Sequence, residues 1–157
     1  MKNNRVIPAL FFAILSINLQ AEVTLHTASY QEQVELLNSG EKRKKWIRAE
    51  KIIPGTVIRY VNTLNNKSHQ PATKLLIKNT IPENMEYLAN TAGCASSCRV
   101  LFSVDGGKHF KNPSELFVGR GENRHLAKSS EYTNIEWILR RLDRRSKSHV
   151  EYKARLK

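Results

Sequence analysis

The chain has 157 residues, 26 of them Lys or Arg and 14 Asp or Glu, so its formal net charge at pH 7 is +12. This length suits one domain with a hydrophobic core. Because no apolar run after residue 21 is long enough to cross a bilayer, a protein with several membrane spans is excluded.

The first 21 residues follow the three-part plan of a secretory signal. Residues 1–5 carry two positive charges, Val6–Leu19 is almost wholly apolar, and Ala21 precedes an acidic residue. We therefore predict a signal peptide over residues 1–21, cleaved after Ala21. A single membrane-anchoring helix is the alternative, but about fourteen apolar residues are short against the ~20 that span a bilayer. The prediction is an exported protein, periplasmic, secreted or at the cell surface, and not an integral membrane protein once cleaved.

The segment after the signal is expected to begin with β-structure. Residues alternate between apolar and polar over 23–27, which predicts a strand, whereas the run from Gln31 fits a strand or a short helix. The turn residues at 38–40 predict a hairpin that returns along residues 41–53, with a local irregularity near Ala49.

Short strands separated by turns are predicted for the middle of the chain. Pro54 and Gly55 fit a type II turn, since Gly accepts the positive φ that its second central residue needs. Asp105-Gly106-Gly107 predicts a tight hairpin turn that leads to His109 and Phe110. Residues 113–126 are expected to be a long crossover with one short strand. The predicted strands here are Val57–Leu64, Lys74–Lys78, Met85–Ala89 and Arg99–Val104.

The last two predicted strands, Tyr132–Leu142 and Ser146–Leu156, are the longest and are expected to pair as a hairpin through Asp143. Each alternates every second residue, the pattern of a strand with one buried face. The residues predicted to fill the core between two sheets are Val57, Tyr60, Leu75, Ile77, Phe102, Val104, Ile135, Trp137, Leu139, Val150, Tyr152 and Ala154.

Both cysteines lie in the short sequence GCASSC, as Cys94 and Cys98. In an oxidising compartment so close a pair favours a disulfide that closes one small loop. Free thiols are the first alternative. A redox pair would need Cys-x-x-Cys at the start of a helix, and a zinc site would need two more ligands at suitable spacing.

The positive charge raises the question of an anionic partner. Without residues 1–21, which hold Lys2 and Arg5 and no acid, 24 basic residues stand against 14 acidic ones, a net charge of +10. Such a surplus favours nucleic acid, acidic polysaccharide or lipid phosphate, although Lys and Arg on strand edges also discourage edge-to-edge pairing. Two dense segments supply the candidate anion-binding residues, which are Lys42, Arg43, Lys44, Lys45, Arg140, Arg141, Arg144 and Arg145.

Four landmarks in order resemble one known module. They are AEKIIPGTVIRYVNTLNN, PATKLLIKNTIPENMEYL, FSVDGGKHF and YTNIEWIL followed by a closing alternating strand. This set is similar to the Ig-like "domain of unknown function" repeat of bacterial cell-envelope and surface proteins, here as a single copy. Residues 142–145 stand where that module usually has a Pro-Gly-type turn.

The resemblance implies an antiparallel immunoglobulin-like β-sandwich of about 7–9 strands, in a cell-envelope setting. The domain is expected over residues 46–157, with 22–45 as a strand or hairpin segment that leads into it. The resemblance implies no enzyme activity and transfers no functional residues.

No motif in the sequence predicts catalysis or a cofactor. The five histidines stand far apart, Asp105 lacks the neighbouring acids of a calcium loop, and no serine sits in a Gly-x-Ser-x-Gly turn. Tyr132, Trp137 and Arg140-Arg141 only weakly approach the aromatic–basic pattern of nucleic-acid binders. We therefore expect a non-catalytic interaction or structural module whose partner is another envelope protein or an anionic polysaccharide. The alternative is a binder of anionic envelope polymer or a surface adhesion accessory that acts through its basic turns, and a hydrolase is less favoured.

Overall fold

The computed structural model describes residues 22–157 and shows an all-β chain in which every strand pair is antiparallel. The predicted signal peptide lies outside the described residues. Short 3₁₀ turns at Pro113–Glu115, Gly121–Asn123 and Ser129–Glu131 are the helical elements of this range. The strands are β1 (Val23–Leu36), β2 (Lys42–Arg48), β3 (Val57–Asn66), β4 (Ala72–Thr80), β5 (Met85–Tyr87), β6 (Gly93–Cys94), β7 (Cys98–Ser103), β8 (Phe117–Val118), β9 (His125–Leu126), β10 (Asn134–Leu142) and β11 (Lys147–Leu156).

The strands form two main sheets. The larger has the order β2-β1-β3-β11-β5, with the short β6 also paired to β11, and the smaller has the order β4-β10-β7. Strands β8 and β9 form a separate two-stranded ribbon. The run from Gln31 is thus a strand, since β1 continues to Leu36, whereas its partner β2 ends at Arg48 and not at the predicted residue 53.

The two sheets share one hydrophobic core. The rings of Trp137 on β10 and Tyr152 on β11 meet across it, with their centroids 6.1 Å apart. Burial confirms eight of the predicted core residues and places three others partly buried against the core. The buried ones are Ile77, Phe102, Ile135, Trp137, Leu139, Val150, Tyr152 and Ala154, and the partly buried ones are Tyr60, Leu75 and Val104.

The prediction for Val57 was wrong, because Ile58 is the buried residue at the start of β3 and is only 1% exposed. Val57 lies on the opposite face. The inner face of β3 also carries the fully buried Asn62 and Asn66, while Val61 lies on its outer face. Since both faces mix polar and apolar side chains, alternation alone did not show which one was inward.

The predicted hairpin between the last two strands was also wrong. β10 lies in the centre of the smaller sheet and β11 in the larger one, so the link between them crosses from sheet to sheet. Asn66 holds this link, because its Nδ2 donates hydrogen bonds to the carbonyl oxygens of Leu142 at 3.3 Å and Asp143 at 3.0 Å. Two adjacent strands that each bury one face can therefore belong to different layers.

Of the two turns predicted from glycine positions in the middle of the chain, the structure contains one. The type II turn is confirmed, since Gly55 has a φ of +88° and the Thr56 amide donates to the Ile53 carbonyl at 3.0 Å. The prediction of a tight hairpin turn at residues 105–107 was wrong. The chain instead makes a wide loop and returns to the sheet at Lys111, which exchanges backbone hydrogen bonds with Phe102.

Cys94 and Cys98 form the predicted disulfide, with their Cα atoms 6.4 Å apart. Because β6 belongs to the larger sheet and β7 to the smaller one, the bond connects the two layers. The described residues 22–157 contain no helix of the length and apolar character that would cross a membrane.

Candidate site on the outer face of the larger sheet

The face of the larger sheet that points away from the core carries a row of cations and aromatic rings. In the register of the sheet, Tyr30 on β1, Arg59 on β3 and Lys153 on β11 lie side by side. Arg59 lies between the core residues Ile58 and Tyr60, and Lys153 between Tyr152 and Ala154, so both side chains point away from the core. Tyr30 shares their face because it pairs with Arg59. On β2 the same face carries Arg48, paired with Tyr30.

Aromatic rings hold these cations in place. Lys153 Nζ lies 5.1 Å from the ring centre of Trp46, and the Arg59 guanidinium carbon lies 6.0 Å from it. The Arg48 guanidinium lies 5.5 Å above the ring of Tyr30. Cations within about 6 Å of an aromatic ring centre are attracted by its quadrupole. The rings therefore restrict long side chains that would otherwise be flexible.

Glu151 is the carboxylate at the middle of this face. Its Oε2 accepts a hydrogen bond from Arg59 Nε at 3.0 Å and forms an ion pair with the same guanidinium through Nη2. His149 Nε2 lies 3.8 Å from the same oxygen. Glu151 thus orients the Arg59 guanidinium. A guanidinium has five N–H donors, so Arg59 keeps others that can bind a second anion.

A shallow hollow of about 300 Å³ lies beside the cation row. Tyr30 and Arg59 form part of both features, which makes them one continuous surface that also includes Lys147 and His149. The outward charged residues of the larger sheet give a balance of seven basic against three acidic side chains. They are Lys42, Lys44, Arg48, Arg59, Lys147, Lys153 and Arg155, against Glu32, Glu86 and Glu151.

The two basic segments singled out in the sequence are not brought together. β1 is 14 residues long, so its ends are about 43 Å apart at 3.3 Å per residue. Lys42 pairs with Leu36 at one end of β1. The 143–146 link lies near the other end, because Arg145 donates to Ser68 and Lys67 donates to Glu22.

Several candidate anion-binding residues are already engaged with nearby side chains. Lys44 pairs with Glu32 at 3.0 Å and Lys45 with Glu35 at 3.2 Å, across the β1–β2 pair. Arg141 pairs with Asp143 at 2.6 Å. Arg145 donates to the His69 ring at 2.7 Å. The remaining four are exposed, namely Lys42, Arg43, Arg140 and Arg144.

Trp137 takes no part in any surface site, because it is 0% exposed. Tyr132 packs against Phe102 with ring centroids 4.7 Å apart. The aromatic–basic pattern sought at Tyr132–Arg141 is therefore not formed there. Aromatic and basic side chains come together at Trp46 and Tyr30 instead, where the rings contact cations from other strands. The signal in the sequence was the outward set of β11, where every second residue from Lys147 to Arg155 is charged or histidine.

Ser103, Asp105 and His109 form a serine–acid–histidine grouping with Asp105 at its centre. Ser103 Oγ donates to Asp105 Oδ1 at 2.6 Å, and the His109 ring Nδ1 lies 2.6 Å from Oδ2. A catalytic triad instead places the histidine between serine and acid. The hydrogen bonds from Ser103 and His109 lower the pKa of Asp105 well below its usual range. This network closes the loop at residues 103–109.

His125 and Glu131 form another histidine–acid pair, which also closes a loop. His125 Nδ1 lies 3.1 Å from the Asn123 carbonyl oxygen, and its Nε2 lies 3.1 Å from Glu131 Oε1. The Asn123 carbonyl and the Glu131 carboxylate raise the pKa of His125. Within residues 22–157, no three His, Cys, Asp or Glu side chains are grouped in a way that could hold a metal ion.

Comparisons with known proteins give no relative for this chain. No family model matches it, no curated protein matches it, and no solved structure matches it. The resemblance to the Ig-like envelope repeat stays a prediction.

Proposed function

We propose that this chain is a non-catalytic interaction module of the bacterial cell envelope, built on an immunoglobulin-like β-sandwich. The observation that carries the proposal is the outer face of the larger sheet, where Trp46 and Tyr30 hold three cations in fixed contacts. None of the residues in these contacts belongs to the hydrophobic core between the sheets. Fixed cations on an open sheet face suit the recognition of another molecule, because their order is established before binding.

The architecture supports an immunoglobulin-like arrangement in part. Two antiparallel sheets pack around a shared core, and Trp137 is buried on the central strand of the smaller sheet, as a tryptophan is in that fold. The chain departs from the usual plan at its end, since β10 and β11 lie in different sheets. We therefore propose a variant with its own strand order.

The disulfide between Cys94 and Cys98 supports an exported location, because such bonds persist in oxidising compartments. The test is to express the full chain in a bacterium, fractionate the cells and measure the mass of the product. We expect a chain that begins at Glu22, in the periplasm or medium, with both cysteines oxidised. An unprocessed chain in the cytoplasm with reduced cysteines would contradict the proposal.

A further inference from the structure

We propose that the outer face of the larger sheet binds an acidic polysaccharide, with Arg48, Arg59 and Lys153 contacting its carboxylates. In this account Trp46 and Tyr30 are positioning residues that hold the cations. The inference rests on the proposed function, since an exported module meets the anionic polymers of the envelope.

Charge complementarity is the first argument. Seven basic side chains point outward from the larger sheet against three acidic ones, and two of those acids, Glu32 and Glu151, are paired with Lys44 and Arg59. These two ion pairs orient Lys44 and Arg59, and the face still carries a net positive charge. A polymer with a regular series of carboxylates can contact several of these cations at once, which multiplies weak individual contacts.

Preorganisation is the second argument. A lysine or arginine side chain loses rotational freedom when it binds an anion, and this loss weakens binding. Here Lys153 and Arg59 are already restricted by the ring of Trp46, and Arg48 by the ring of Tyr30. These side chains therefore lose less rotational freedom on binding than unrestricted ones would.

The shape of the surface favours a polymer over a small molecule. Small ligands are usually enclosed in a concave pocket, whereas this hollow of about 300 Å³ is a shallow depression in an open sheet face. Its lining includes His149 and also Lys147, which extends the basic surface along β11 beyond the cation row. An extended chain could lie across both features.

The aromatic residues favour a polysaccharide over single-stranded nucleic acid. Proteins that bind single strands leave aromatic faces open so that bases can stack on them. Here cations lie over the rings of Trp46 and Tyr30, and both side chains are partly buried. The rings support the cations and do not form a free platform.

The test uses the full chain and alginate, a linear polymer of uronic acids, with neutral dextran and single-stranded DNA as the other arms. The double variant Arg48→Gln/Lys153→Gln should bind alginate at least ~10-fold more weakly, because charge contacts of this kind act additively at low salt. The matched control is Arg140→Gln/Arg144→Gln, which removes the same charge on β10 and in the link that follows it, and should change the affinity by less than about 3-fold.

Trp46→Leu tests the positioning role. It keeps every charge, and we expect weaker alginate binding that Trp46→Phe partly restores, since Phe also attracts cations. Circular dichroism of each variant confirms that it is folded. Three results would overturn the proposal: no alginate binding, equal loss in the control variant, or a Trp46-dependent preference for DNA. Export is measured on cells and not by binding, so failure of the proposed function would be recognised separately.

Discussion

Asn62 on β3 donates a hydrogen bond from its Nδ2 to Oδ1 of Asn79 on β4 across 3.1 Å, and this bond joins the two sheets. Asn62 is fully buried, and its Oδ1 also accepts a hydrogen bond from Thr27 on β1 at 2.7 Å. A buried polar group with its partners in place fixes which residues face each other, because any other packing would leave it without them.

Replacing Asn62 should therefore destabilise the fold. In Asn62→Ala the side chains of Thr27 and Asn79 both lose a partner, and we expect the free energy of unfolding to fall by about 2–3 kcal/mol. Asn65→Ala is the matched control, since Asn65 lies on the outer face of the same strand. Urea unfolding of both variants measures the difference. Equal effects would show that the Asn62 bonds do not stabilise the fold.

The core of the smaller sheet gives a second prediction. Leu139 on β10 is 0% exposed and pairs with Leu75 on β4, whereas Leu76 on β4 is 60% exposed. Leu139→Ala removes buried methyl groups and should cost about 2–5 kcal/mol. Leu76→Ala should change stability by less than about 0.5 kcal/mol. If thermal unfolding showed similar losses in both variants, the face assignment of β10 would be wrong.

The disulfide should act as a local staple between the layers. Closing a loop as short as that from Cys94 to Cys98 gives about 2 kcal/mol in the chain-entropy model. Replacing both cysteines with serine should lower the free energy of unfolding by that amount. Reductant should lower the stability of the unmodified chain and leave the variant unchanged. A reductant effect that persisted in the variant would contradict this role.

The loop at residues 103–109 should be sensitive to acid. Because its hydrogen bonds lower the pKa of Asp105 in the folded state, they stabilise the fold fully above the ordinary aspartate pKa of about 3.9 and lose this effect as the pH falls below it. The carboxyl carbon of Asp105 should titrate well below that value in NMR. Stability should also fall less between pH 5 and 3 in Asp105→Asn than in Asp143→Asn, the control for charge. Titration near pH 4 would contradict the account.

The strands themselves could be predicted from the sequence, and so could much of the core. The alternation of Ile135, Trp137 and Leu139 correctly indicated the buried face of β10, since every other side chain of a strand faces the same way. The assignment of β10 and β11 to sheets could not be predicted. Alternation shows that a strand buries one face, but it does not show which strand lies beside it.

The candidate site was hidden for a related reason. The sequence draws attention to dense basic segments, and those segments lie at opposite ends of β1. The cations that do come together are single residues on three different strands, Arg48, Arg59 and Lys153. They meet only through the register of the sheet, which depends on long-range pairing. Sequence density and spatial clustering are therefore different properties.

The central claim is that the outer face of the larger sheet, centred on Trp46, is the binding surface. The two tryptophans make a direct test, because Trp46 lies in that surface and Trp137 is fully buried in the core. Their indole N–H signals should be followed by NMR during titration of the ¹⁵N-labelled chain with alginate. We predict that the Trp46 signal shifts in a saturable way while the Trp137 signal stays in place. An unmoved Trp46 signal, with shifts confined to residues 140–145, would contradict the claim.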